Sequence, residues 1–520
     1  MPAIIAIVLA LVTKQVYISL FLGIFVGAIM YAGGDPLKAL FTLYQVMSEK
    51  VGGNTTIIVF LVVLGILVVL MQKSGGAKAY GEWAGRKIKS KNGALAATAG
   101  LGCLIFVDDY FNCLTVGSVM RPVTDKFKIA RSKLAYIIDA TAAPICIIAP
   151  ISSWAAAVAG ELEGDGLTVF MSTIPFNVYA ILTIVMVFTL CFVNFNFGKM
   201  KKNDMIAEKT GDVHAGVEMD AKEEEVMVTN PKGKVRHLLV PVIILILCCI
   251  GGMLYTGFYY NWDTGLIDKQ LQSSNFIEAF SNCDAGMSLA IGSTVALIII
   301  SLYYMFAKVV SFKDIMGSFT EGFKAMVPAI LILTFAWSIS GIMGAKGGYL
   351  DAQAFVQKNL ANSSFPQFLF PAIFFILAGV IAFSTGTSWG TFGVLVPIAV
   401  TILGGSGTLA LLTVSATLGG AVFGDHVSPI SDTTILASAG AQCSHVEHVN
   451  TQLPYASLVA GVSVVAYLIA GACYKLGGVL SAVIMWVVAL AVFAGVIFVI
   501  KKLEKKNEEP TAEESVESAE

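Results

Sequence analysis

Apolar runs about as long as a bilayer is thick recur along this chain, and they constrain its fold more than any other feature. Residues 54–72 and 325–345 are two of these runs, and each matches the roughly 20 apolar residues that a transmembrane helix needs. Only 13% of the 520 residues are charged and 56% are hydrophobic, whereas soluble domains carry roughly 25% charged residues. We therefore predict an all-α polytopic membrane protein with about 11 to 13 transmembrane helices.

The composition and the short motifs argue against several functional classes. A net charge of −2 gives nucleic acid no electrostatic reason to bind. The nine cysteines include no CxxC pair and no Cys/His cluster, so they are interpreted as small core residues. No nucleophile–base pair or nucleotide-binding loop suggests an enzyme, and no cofactor is expected. Residues 1–13 are apolar but lack the basic start and the cleavage site of a signal peptide.

Clusters of basic residues mark the cytoplasmic side of the predicted fold. Residues 73–92 carry six basic residues against one acid, and residues 121–133 carry five against one. The 28 residues between them, 93–120, are too few for two spans of about 20. A re-entrant hairpin that enters from the cytoplasm and returns fits this length better.

The remaining loops extend this topology. Acidic residues dominate 161–165 and 258–285, which are therefore expected outside the cell. Lysines flank the polar loop 201–237 and begin the tail 501–520, so both are placed in the cytoplasm. Their composition is too polar for a packed core, and we expect both to be disordered.

The two halves of the chain resemble each other in the order of a few residues. The matches pair Glu49 with Glu321, Gly75-Gly76 with Gly347-Gly348, Asp139-Ala140-Thr141 with Ser415-Ala416-Thr417, and Pro150 with Pro429. The run 54–72 is predicted to cross inward and its mate 325–345 outward, so the repeats have inverted topology. Many secondary transporters use inverted repeats for alternating access. The internal pseudo-symmetry argues against a channel or a simple four-helix bundle.

The repeat divides the chain into four segments. The second predicted hairpin, which belongs to the second repeat, enters the membrane from outside. The predicted segments are a first repeat at 1–200 (hairpin about 93–120, broken helix about 134–160), the cytoplasmic loop 201–237, an extra span plus the second repeat at 238–500 (hairpin about 364–403, broken helix about 409–440), and the tail 501–520.

A polar, proline-containing segment interrupts the apolar sequence near the end of the chain. Residues 423–434 read Phe-Gly-Asp-His-Val-Ser-Pro-Ile-Ser-Asp-Thr-Thr and hold two carboxylates and four hydroxyls. A shorter echo, Ala-Pro-Ile-Ser-Ser-Trp, occupies residues 149–154. Proline removes a backbone donor and frees a carbonyl upstream, and broken backbone at membrane depth is tolerated only where it lines a cavity. Both segments therefore indicate the binding site of a transporter.

The polar residues of these two segments, of the two hairpin turns and of one apolar run are the candidate ion or substrate ligands. They are Asp108, Asp109, Asn112, Asp139, Pro150, Ser152, Ser153, Thr385, Thr387, Ser388, Asp425, His426, Ser428, Ser431, Asp432 and Thr433. Hard cations need oxygen ligands, which carboxylates, amides and hydroxyls supply. A Na+ site is hypothesised at Asp108, Asn112, Asp425 and Asp432.

The aspartates have competing structural interpretations. Asp108 and Asp109 cannot both stay charged in the membrane without a partner, so one binds a cation or a proton, unless one faces water at the hairpin mouth or caps a helix. Asp432 could instead be the N-cap of the helix that follows it. Asp139 is either a third ionisable site or the partner of a basic loop residue.

Asn112 and the histidines also have both a functional and a structural interpretation. Asn112 is a ligand or a turn residue, and His426 is a proton-sensitive gate or a structural hydrogen-bond donor. His445, Glu447 and His448 superficially resemble a metal cluster, but they fall in a predicted cytoplasmic loop, where pH sensing is the other alternative.

Around the signature 423–434 the chain resembles the NhaC-type sodium/proton antiporter family. Ala437-Ser438-Ala439-Gly440 and Pro454 extend the similarity, and the stretch from Phe106-Val107-Asp108-Asp109 to Pro122 is similar to the first half of that family. The resemblance covers most of residues 15–500 and implies exchange of Na+ for H+. Members that resemble this family also include exchangers that couple Na+ and H+ to organic acids.

A more distant resemblance concerns the wider ion transporter superfamily. Phe111-Asn112-Cys113-Leu114-Thr115 and Pro150-Ile151-Ser152 look like its hairpin tip and broken helix. That similarity implies an elevator-like movement of the hairpins and broken helices, and a homodimer. The chain lacks the full Ser-Asn-Thr tip of the dicarboxylate carriers in that group.

The residues and the resemblance lead to one main functional hypothesis and one alternative. The main hypothesis is a Na+/H+ antiporter of the bacterial cytoplasmic membrane, in which Na+ and H+ compete for the same buried carboxylates. The alternative is a Na+- or H+-coupled carrier of a small organic acid or amino acid, held by hydroxyls and half-helix N-termini. A membrane sensor or scaffold without transport is a third class.

Overall fold

The computed structural model describes residues 2–13, 15–162, 166–193, 195–217, 230–261, 266–267, 271–273, 279, 283–343, 349–350, 366–403 and 407–508. Nearly all regular structure in these residues is helical. The helices are α1 (Pro2–Thr13), α2 (Val16–Tyr31), α3 (Pro36–Gly53), α4 (Thr55–Lys73), α5 (Gly76–Lys87), α6 (Lys91–Leu104), α7 (Asp109–Lys126), α8 (Arg131–Ala140), α9 (Ala143–Cys146), α10 (Ser153–Ala159), α11 (Gly166–Thr173), α12 (Val178–Phe192), α13 (Gly198–Thr210), α14 (Arg236–Tyr259), α15 (Ala285–Phe306), α16 (Phe312–Met343), α17 (Phe370–Thr385), α18 (Ser388–Leu403), α19 (Thr408–Val427), α20 (Asp432–Ala441), α21 (His445–Cys473) and α22 (Gly478–Glu508).

Shorter elements lie between some of these helices. Three 3-10 turns occupy Ile174–Phe176, Gln367–Leu369 and Tyr474–Leu476. A two-residue antiparallel pair joins β1 (Tyr260–Asn261) to β2 (Leu266–Ile267) after α14.

Several helices are suited to a bilayer. Seven helices of the described chain are long and apolar enough to cross a membrane, or up to ten if each of three bent helix pairs counts as one span. The chain is therefore a multi-pass membrane protein. Helices that carry polar candidates, such as α7 and α8, fall outside this count because they are short or contain charged residues, and the total of about 11 to 13 spans stays a prediction.

Two pairs of neighbouring helices are separated by a few residues where the sequence predicts hairpin turns. Helix α6 ends at Leu104 and α7 begins at Asp109, while α17 ends at Thr385 and α18 begins at Ser388. The two helices of each pair pack against each other. Gly386 ends α17 with a φ of +70°, a left-handed conformation that favours glycine.

Each predicted broken helix is two helices with an irregular segment between them. The first break runs from Ala140 to Ser153 and contains the four-residue α9, and the second runs from Val427 to Asp432. The start of the second helical part is capped in the same way in both halves.

Ser152 and Ser431 are the N-caps of α10 and α20. The Ser152 hydroxyl accepts from the Ala155 amide at 3.0 Å, and the Ser431 hydroxyl accepts from the Thr434 amide at 3.2 Å. Serine at this position satisfies a backbone donor that has no partner within the helix. Both serines follow a Pro-Ile pair, so one short motif stops and restarts a helix in each half.

Glycines allow close helix crossings around the site. A Cβ atom at Gly424 of α19 would lie 2.2 Å from the Gly379 carbonyl oxygen of α17. A Cβ atom at Gly65 of α4 would lie 2.4 Å from the Gly322 carbonyl oxygen of α16. Small residues at such crossings let backbones approach closely in a membrane, and the Gly424–Gly379 crossing brings the second hairpin against the broken helix α19–α20.

The predicted disorder of the loop 201–237 is wrong for its first part. Helix α13 covers residues up to Thr210 and packs on α8 and α21. Met200, Asp204 and Ala207 of this helix are buried, and their spacing of three to four residues gives α13 an inner face that the polar composition conceals. Residues 218–229 of the loop lie outside the described residues.

The predicted disorder of the tail 501–520 is also wrong at its start. Helix α22 continues through the lysines to Glu508. Lys201 of α13 forms an ion pair with Glu504 of this helix at 2.6 Å, which holds the two polar segments together. Residues 509–520 lie outside the described part of the chain.

Candidate functional site

Asp425 lies in the last turn of α19, next to the second break, and is 1% exposed. The Thr433 hydroxyl donates to its Oδ2 at 2.7 Å, and the Thr434 hydroxyl lies 3.2 Å from its backbone carbonyl oxygen. The Ser431 and Thr433 hydroxyls are 3.3 Å apart. The break therefore surrounds one buried carboxylate with hydroxyl oxygens, an arrangement that suits a small hard cation.

Asp139 approaches the same break from the other half of the chain. It lies in the last turn of α8 and is fully buried. Its Oδ2 accepts from the Thr434 hydroxyl at 3.2 Å and from Gln452 Nε2 at 2.6 Å, and His448 Nε2 lies 3.4 Å away. These residues take the place of the basic loop residue that was the alternative partner.

His426 is buried beside the two aspartates. Its Nδ1 lies 3.0 Å from the Tyr179 hydroxyl, and its backbone carbonyl accepts from Gln452 Nε2 at 2.6 Å. His426 and Asp139 are close enough to interact electrostatically. A structural hydrogen bond and a proton-sensitive role are therefore both compatible with its position.

Asp108 and Asp109 form a second acidic group at the start of α7. They are 2% and 0% exposed, so the alternative in which one faces bulk water at the hairpin mouth is wrong. Trp154 Nε1 donates to Asp109 Oδ2 at 2.9 Å. The Ser153 amide donates to the Val107 carbonyl at 2.9 Å, which joins the first break to the first hairpin turn.

Asn112 lies within α7, one turn after this acidic pair, and is not a turn residue. Its Nδ2 is within hydrogen-bond distance of three carbonyl oxygens, at 2.7 Å from Gly102, 3.0 Å from Ile105 and 3.0 Å from Thr141. The amide thus ties the ends of α6 and α8 to α7. Its Oδ1 is buried and has no hydrogen-bond partner among the residues that the structure describes.

In the first break, the Ser152 hydroxyl has a structural role, whereas the Ser153 hydroxyl makes no hydrogen bond with the described residues that would explain its burial. The Ser152 hydroxyl, besides capping α10, donates to the Cys146 carbonyl at 2.7 Å. The Ser153 hydroxyl is buried without a hydrogen-bond partner in the described residues. Pro150 is exposed, so it shapes the break and does not line the buried part of the site.

The candidates of the second hairpin turn mainly serve their own helices. The Thr385 hydroxyl donates to a carbonyl one turn earlier at 2.8 Å, and the Thr387 hydroxyl accepts from the Gly390 amide at 3.4 Å. Ser388 is buried at the first position of α18.

The hairpin turn is also joined to the second break. The Ser428 hydroxyl donates to the Phe383 carbonyl at 2.8 Å, and the Asp432 amide donates to the Gly386 carbonyl at 3.4 Å. The Asp432 side chain is exposed, and the N-cap of α20 is Ser431. The capping alternative for Asp432 is therefore wrong, and its environment differs from that of buried Asp425.

The acidic residues of both halves meet around the first turns of α7. Tyr110 lies near Asp108, Asp109, Asp425 and Asp432, and Cys113 lies near Asp108, Asp109, Asp139 and Asp425. Among the described residues, no three His, Cys, Asp or Glu side chains are arranged to hold a metal. A cation at Asp425 would therefore depend on the hydroxyl and carbonyl oxygens of the break.

Five residues at this site were outside the predicted set: Trp154, Tyr179, Thr434, His448 and Gln452. His448 and Gln452 are four positions apart in α21, so they share one helix face, and this spacing was the available signal. The predicted loop at His445 is wrong, because α21 begins there. His445 Nε2 lies 2.7 Å from the Pro429 carbonyl oxygen, which links this helix to the second break.

Comparisons with known proteins point to one family. A family model described as the Na+/H+ antiporter family matches residues 155–472. A protein of Haemophilus influenzae, described as uncharacterized, is 38% identical over 521 residues, which cover 96% of this chain and 95% of that protein.

Two further relatives have named substrates. A malate-2H(+)/Na(+)-lactate antiporter of Bacillus subtilis is 33% identical over 156 residues, 29% of this chain and 31% of that protein. The arginine/ornithine antiporter ArcD of Halobacterium salinarum is 38% identical over 116 residues, 22% of this chain and 24% of that protein.

Proposed function

Because the chain belongs to the Na+/H+ antiporter family, we propose that it exchanges Na+ for protons across the membrane at buried carboxylates. The family and the named relatives are antiporters, so the chain is a secondary transporter and not an enzyme. In the proposed exchange Asp425 binds either Na+ or a proton, and the broken helices expose it alternately to the two sides. Competition for one carboxylate couples the two fluxes.

The observation that carries this proposal is a buried carboxylate, Asp425, whose contacts are hydroxyl groups. The two basic side chains of α8 bind other acids: Arg131 pairs with Asp125 at 2.7 Å, and Lys133 pairs with Asp204 at 3.0 Å. An ionised carboxylate is costly to bury without a counter-ion. Binding a small cation or a proton removes this cost, which is the chemistry that Na+/H+ exchange needs.

A coupled carrier of a small organic acid or amino acid is the second candidate. It is favoured by the two relatives that are named for malate, lactate, arginine and ornithine, which match under a third of this chain. An organic carboxylate would meet the acidic surroundings of Asp139 and Asp425, and like charges repel. Such a substrate would therefore have to enter together with Na+ or protons.

The proposed mechanism includes an architecture of two inverted repeats with elevator-like movement. It is supported by the matching serine caps at Ser152 and Ser431 and by a closely packed helix pair before each break. Location in the bacterial inner membrane, a cytoplasmic C-terminus and a homodimer belong to the same proposal.

Liposomes that contain the purified protein and a trapped pH dye test the proposed exchange. An inward Na+ gradient alone should make the lumen alkaline, because each entering Na+ drives protons out, and an equal choline gradient should not. Malate, lactate and an amino-acid mixture are tested in parallel. A signal that requires one of these solutes would replace Na+/H+ exchange by the coupled carrier, and no flux under any gradient would contradict both.

The matched variants of this assay are Asp425→Asn and Asp212→Asn. Asp425→Asn keeps the shape of the side chain but removes its charge, so we expect the Na+ response to vanish. Asp212 is exposed in the turn after α13, and its replacement should leave the flux unchanged. Equal loss in both variants would indicate a general defect and not a role for Asp425.

A further inference from the structure

Glu161 is a buried carboxyl group that the proposed exchange does not use. It follows α10, the second part of the first broken helix, and is 4% exposed. Neither of its carboxylate oxygens has a hydrogen-bond partner among the residues that the structure describes. A buried carboxylate without partners is costly, so burial raises the pKa of Glu161 well above its ordinary value and favours the protonated form.

The residue before Glu161 packs directly on α16. A Cβ atom at Gly160 would lie 2.9 Å from Trp337 Nε1 of that helix and 3.0 Å from Ile57 Cδ1 of α4. Trp337 is 1% exposed, and its indole N–H also has no hydrogen-bond partner within the described ranges, although a buried indole N–H usually finds an acceptor. We call the region of Gly160, Glu161 and Trp337 the α10–α16 contact; it holds an acid and a donor that do not bond to each other.

Lys50, in the last turn of α3, lies along the same face of α16. A Cβ atom at Gly341 would lie 2.7 Å from Lys50 Cε, and Gly341 follows Trp337 by four positions, which places both on one helix face. The Lys50 ammonium group acts electrostatically on Glu161, although no hydrogen bond joins the two side chains. The lysine is exposed, so it offers a counter-ion at the edge of the α10–α16 contact.

Lys50 is the one charged group of the described residues that acts on Glu161. Asp284, just before α15, accepts from a backbone amide of that helix at 2.8 Å, and Glu49 accepts from a glutamine one turn earlier at 3.0 Å. The charged residues of α16 lie more than three turns before Trp337. The titratable side chains of the other helices packed on α10 do not act on Glu161 either; in the described chain they are Cys146 of α9, Lys73 of α4, and Tyr303 and Tyr304 of α15.

We propose that Glu161 is a proton-binding site at the α10–α16 contact, protonated while this contact is closed and ionised beside Lys50 when it opens. The site lies outside the break that holds Asp425. Its place in the transport cycle rests on the proposed alternating exposure, because movement of the first broken helix relative to α16 has to open the contact. The proton site itself can be tested without Na+.

The pH dependence of this contact has a definite sign. In the open form the carboxyl group reaches water, where its pKa is about 4.3, whereas burial raises the pKa in the closed form. The closed contact is therefore most stable in acid and loses stability as the pH rises toward the raised pKa of Glu161. Opening releases one proton, so the opening equilibrium should rise by up to about tenfold per pH unit over this range.

The test is hydrogen–deuterium exchange with mass spectrometry on the purified full-length protein in detergent and choline chloride. Glu161→Gln keeps the shape of the side chain but cannot ionise. Wild type and this variant are compared at the same pH, because exchange chemistry itself depends on pH. In mildly alkaline solution, peptides over residues 155–162 and 333–343 should exchange faster in wild type than in Glu161→Gln, and in acid the two proteins should agree. Equal exchange at every pH, or faster exchange in Glu161→Gln, would overturn the inference.

Two further variants separate the roles of charge. Lys50→Gln removes the counter-ion of the open form, so alkaline opening should fall below that of wild type. Glu82→Gln is the matched control, because Glu82 is an exposed acid on α5; it should exchange as wild type. An equal change in Glu82→Gln and Glu161→Gln would show a general effect of lost charge and would overturn the assignment to Glu161.

The liposome assay tests the place of this site in the cycle. Glu161→Gln should bind 22Na+ as wild type but slow the Na+-driven proton flux in alkaline medium, by about the factor that separates the two proteins in hydrogen exchange. Unchanged flux at every pH would overturn the role in transport. A wild type without Na+-driven flux would instead contradict the proposed exchange, and hydrogen exchange would still decide whether Glu161 is the proton site.

A measurement on wild type alone covers the case in which Glu161→Gln does not fold. The exchange rate of the 155–162 peptide is divided by that of a peptide from α22 at the same pH, which cancels the chemical effect of pH on exchange. This ratio should rise from acid to alkaline solution. A ratio that is constant over the whole range would overturn the inference.

Discussion

Thr434 is the residue at which the two halves of the candidate site meet. Its hydroxyl lies at hydrogen-bond distance from the Asp139 carboxylate and from the Asp425 backbone, which come from positions nearly 300 residues apart. A hydrogen bond to a charged group contributes about 1.5–3 kcal/mol. Loss of this hydroxyl is therefore expected to weaken the contact between the two halves of the site by about that much.

Thr434→Val removes this hydroxyl but keeps the branched shape of the side chain. We expect Na+-driven proton flux in liposomes to fall by about tenfold to a hundredfold, as the lost interaction implies. Thr434→Ser keeps the donor and should retain most of the flux. Equal flux in the valine and serine variants would show that the hydroxyl has no part in the exchange.

The residues of the break could be predicted from the sequence because polar groups stand out in an apolar chain. Asp425, Ser431 and Thr433 are examples. The contact of Trp154 with Asp109, and that of Gln452 with Asp139, could not be predicted in this way. Both depend on which helices pack together, and a single sequence carries little information about such distant pairs.

At the scale of elements, α13 holds together several of the basic segments through ion pairs. Its Asp204 is buried and forms ion pairs with Lys133 at 3.0 Å and with Lys91 at 3.1 Å. Burial alone would raise the pKa of Asp204, but the two ammonium groups outweigh it and hold the pKa below its usual range. The ion pair between Lys133 and Asp204 thus stabilises the start of α8, the helix that carries Asp139.

Asp204→Asn leaves the Lys133 ammonium buried without its counter-ion. Breaking such a pair costs about 3–5 kcal/mol, so we expect a clearly lower unfolding temperature in detergent, followed by tryptophan fluorescence. Glu208→Gln is the control, because the Lys91–Glu208 pair at 3.3 Å involves an exposed carboxylate and contributes about 0–1 kcal/mol.

The pH dependence of this effect has a definite sign. Since the folded-state pKa of Asp204 is lowered, its stabilising contribution is complete above the ordinary aspartate pKa of about 3.9 and is lost as the pH falls below it. The difference between wild type and Asp204→Asn should therefore be constant near neutral pH and shrink in acid. A difference that grows in acid would contradict the assigned ion pair.

The elements themselves were predictable to different degrees. Proline, serine and glycine signals locate the breaks at Ser152, Gly386 and Ser431, because these residues act locally on the backbone. Helix α13 was missed because its inner face consists of few residues within a polar segment. Amphipathic spacing is a weaker signal than composition in a loop of this length.

For the whole molecule, ion pairs and hydrogen bonds place the basic loops on one side. Lys133 and Lys91 both contact Asp204 of α13, and Lys201 contacts Glu504 of α22. The loops predicted to be cytoplasmic are therefore connected to one another. This grouping supports the proposed topology, in which positive charge lies inside.

Reporter fusions test this topology. Green fluorescent protein fused after residue 216 or at the C-terminus should fluoresce, since it folds in the cytoplasm, and alkaline phosphatase fused after residue 162 or 261 should be active outside. Phosphatase activity after residue 216 together with a dark fluorescent fusion there would contradict the proposed orientation and the inverted repeat that depends on it.

The most direct test of the central claim is equilibrium binding of 22Na+ to the purified protein at several pH values, for wild type and Asp425→Asn. If Na+ and protons compete at the Asp425 carboxylate, wild-type Na+ affinity should weaken as the pH falls, and Asp425→Asn should show no saturable binding. Na+ affinity that is independent of pH, or wild-type binding by Asp425→Asn, would contradict the account.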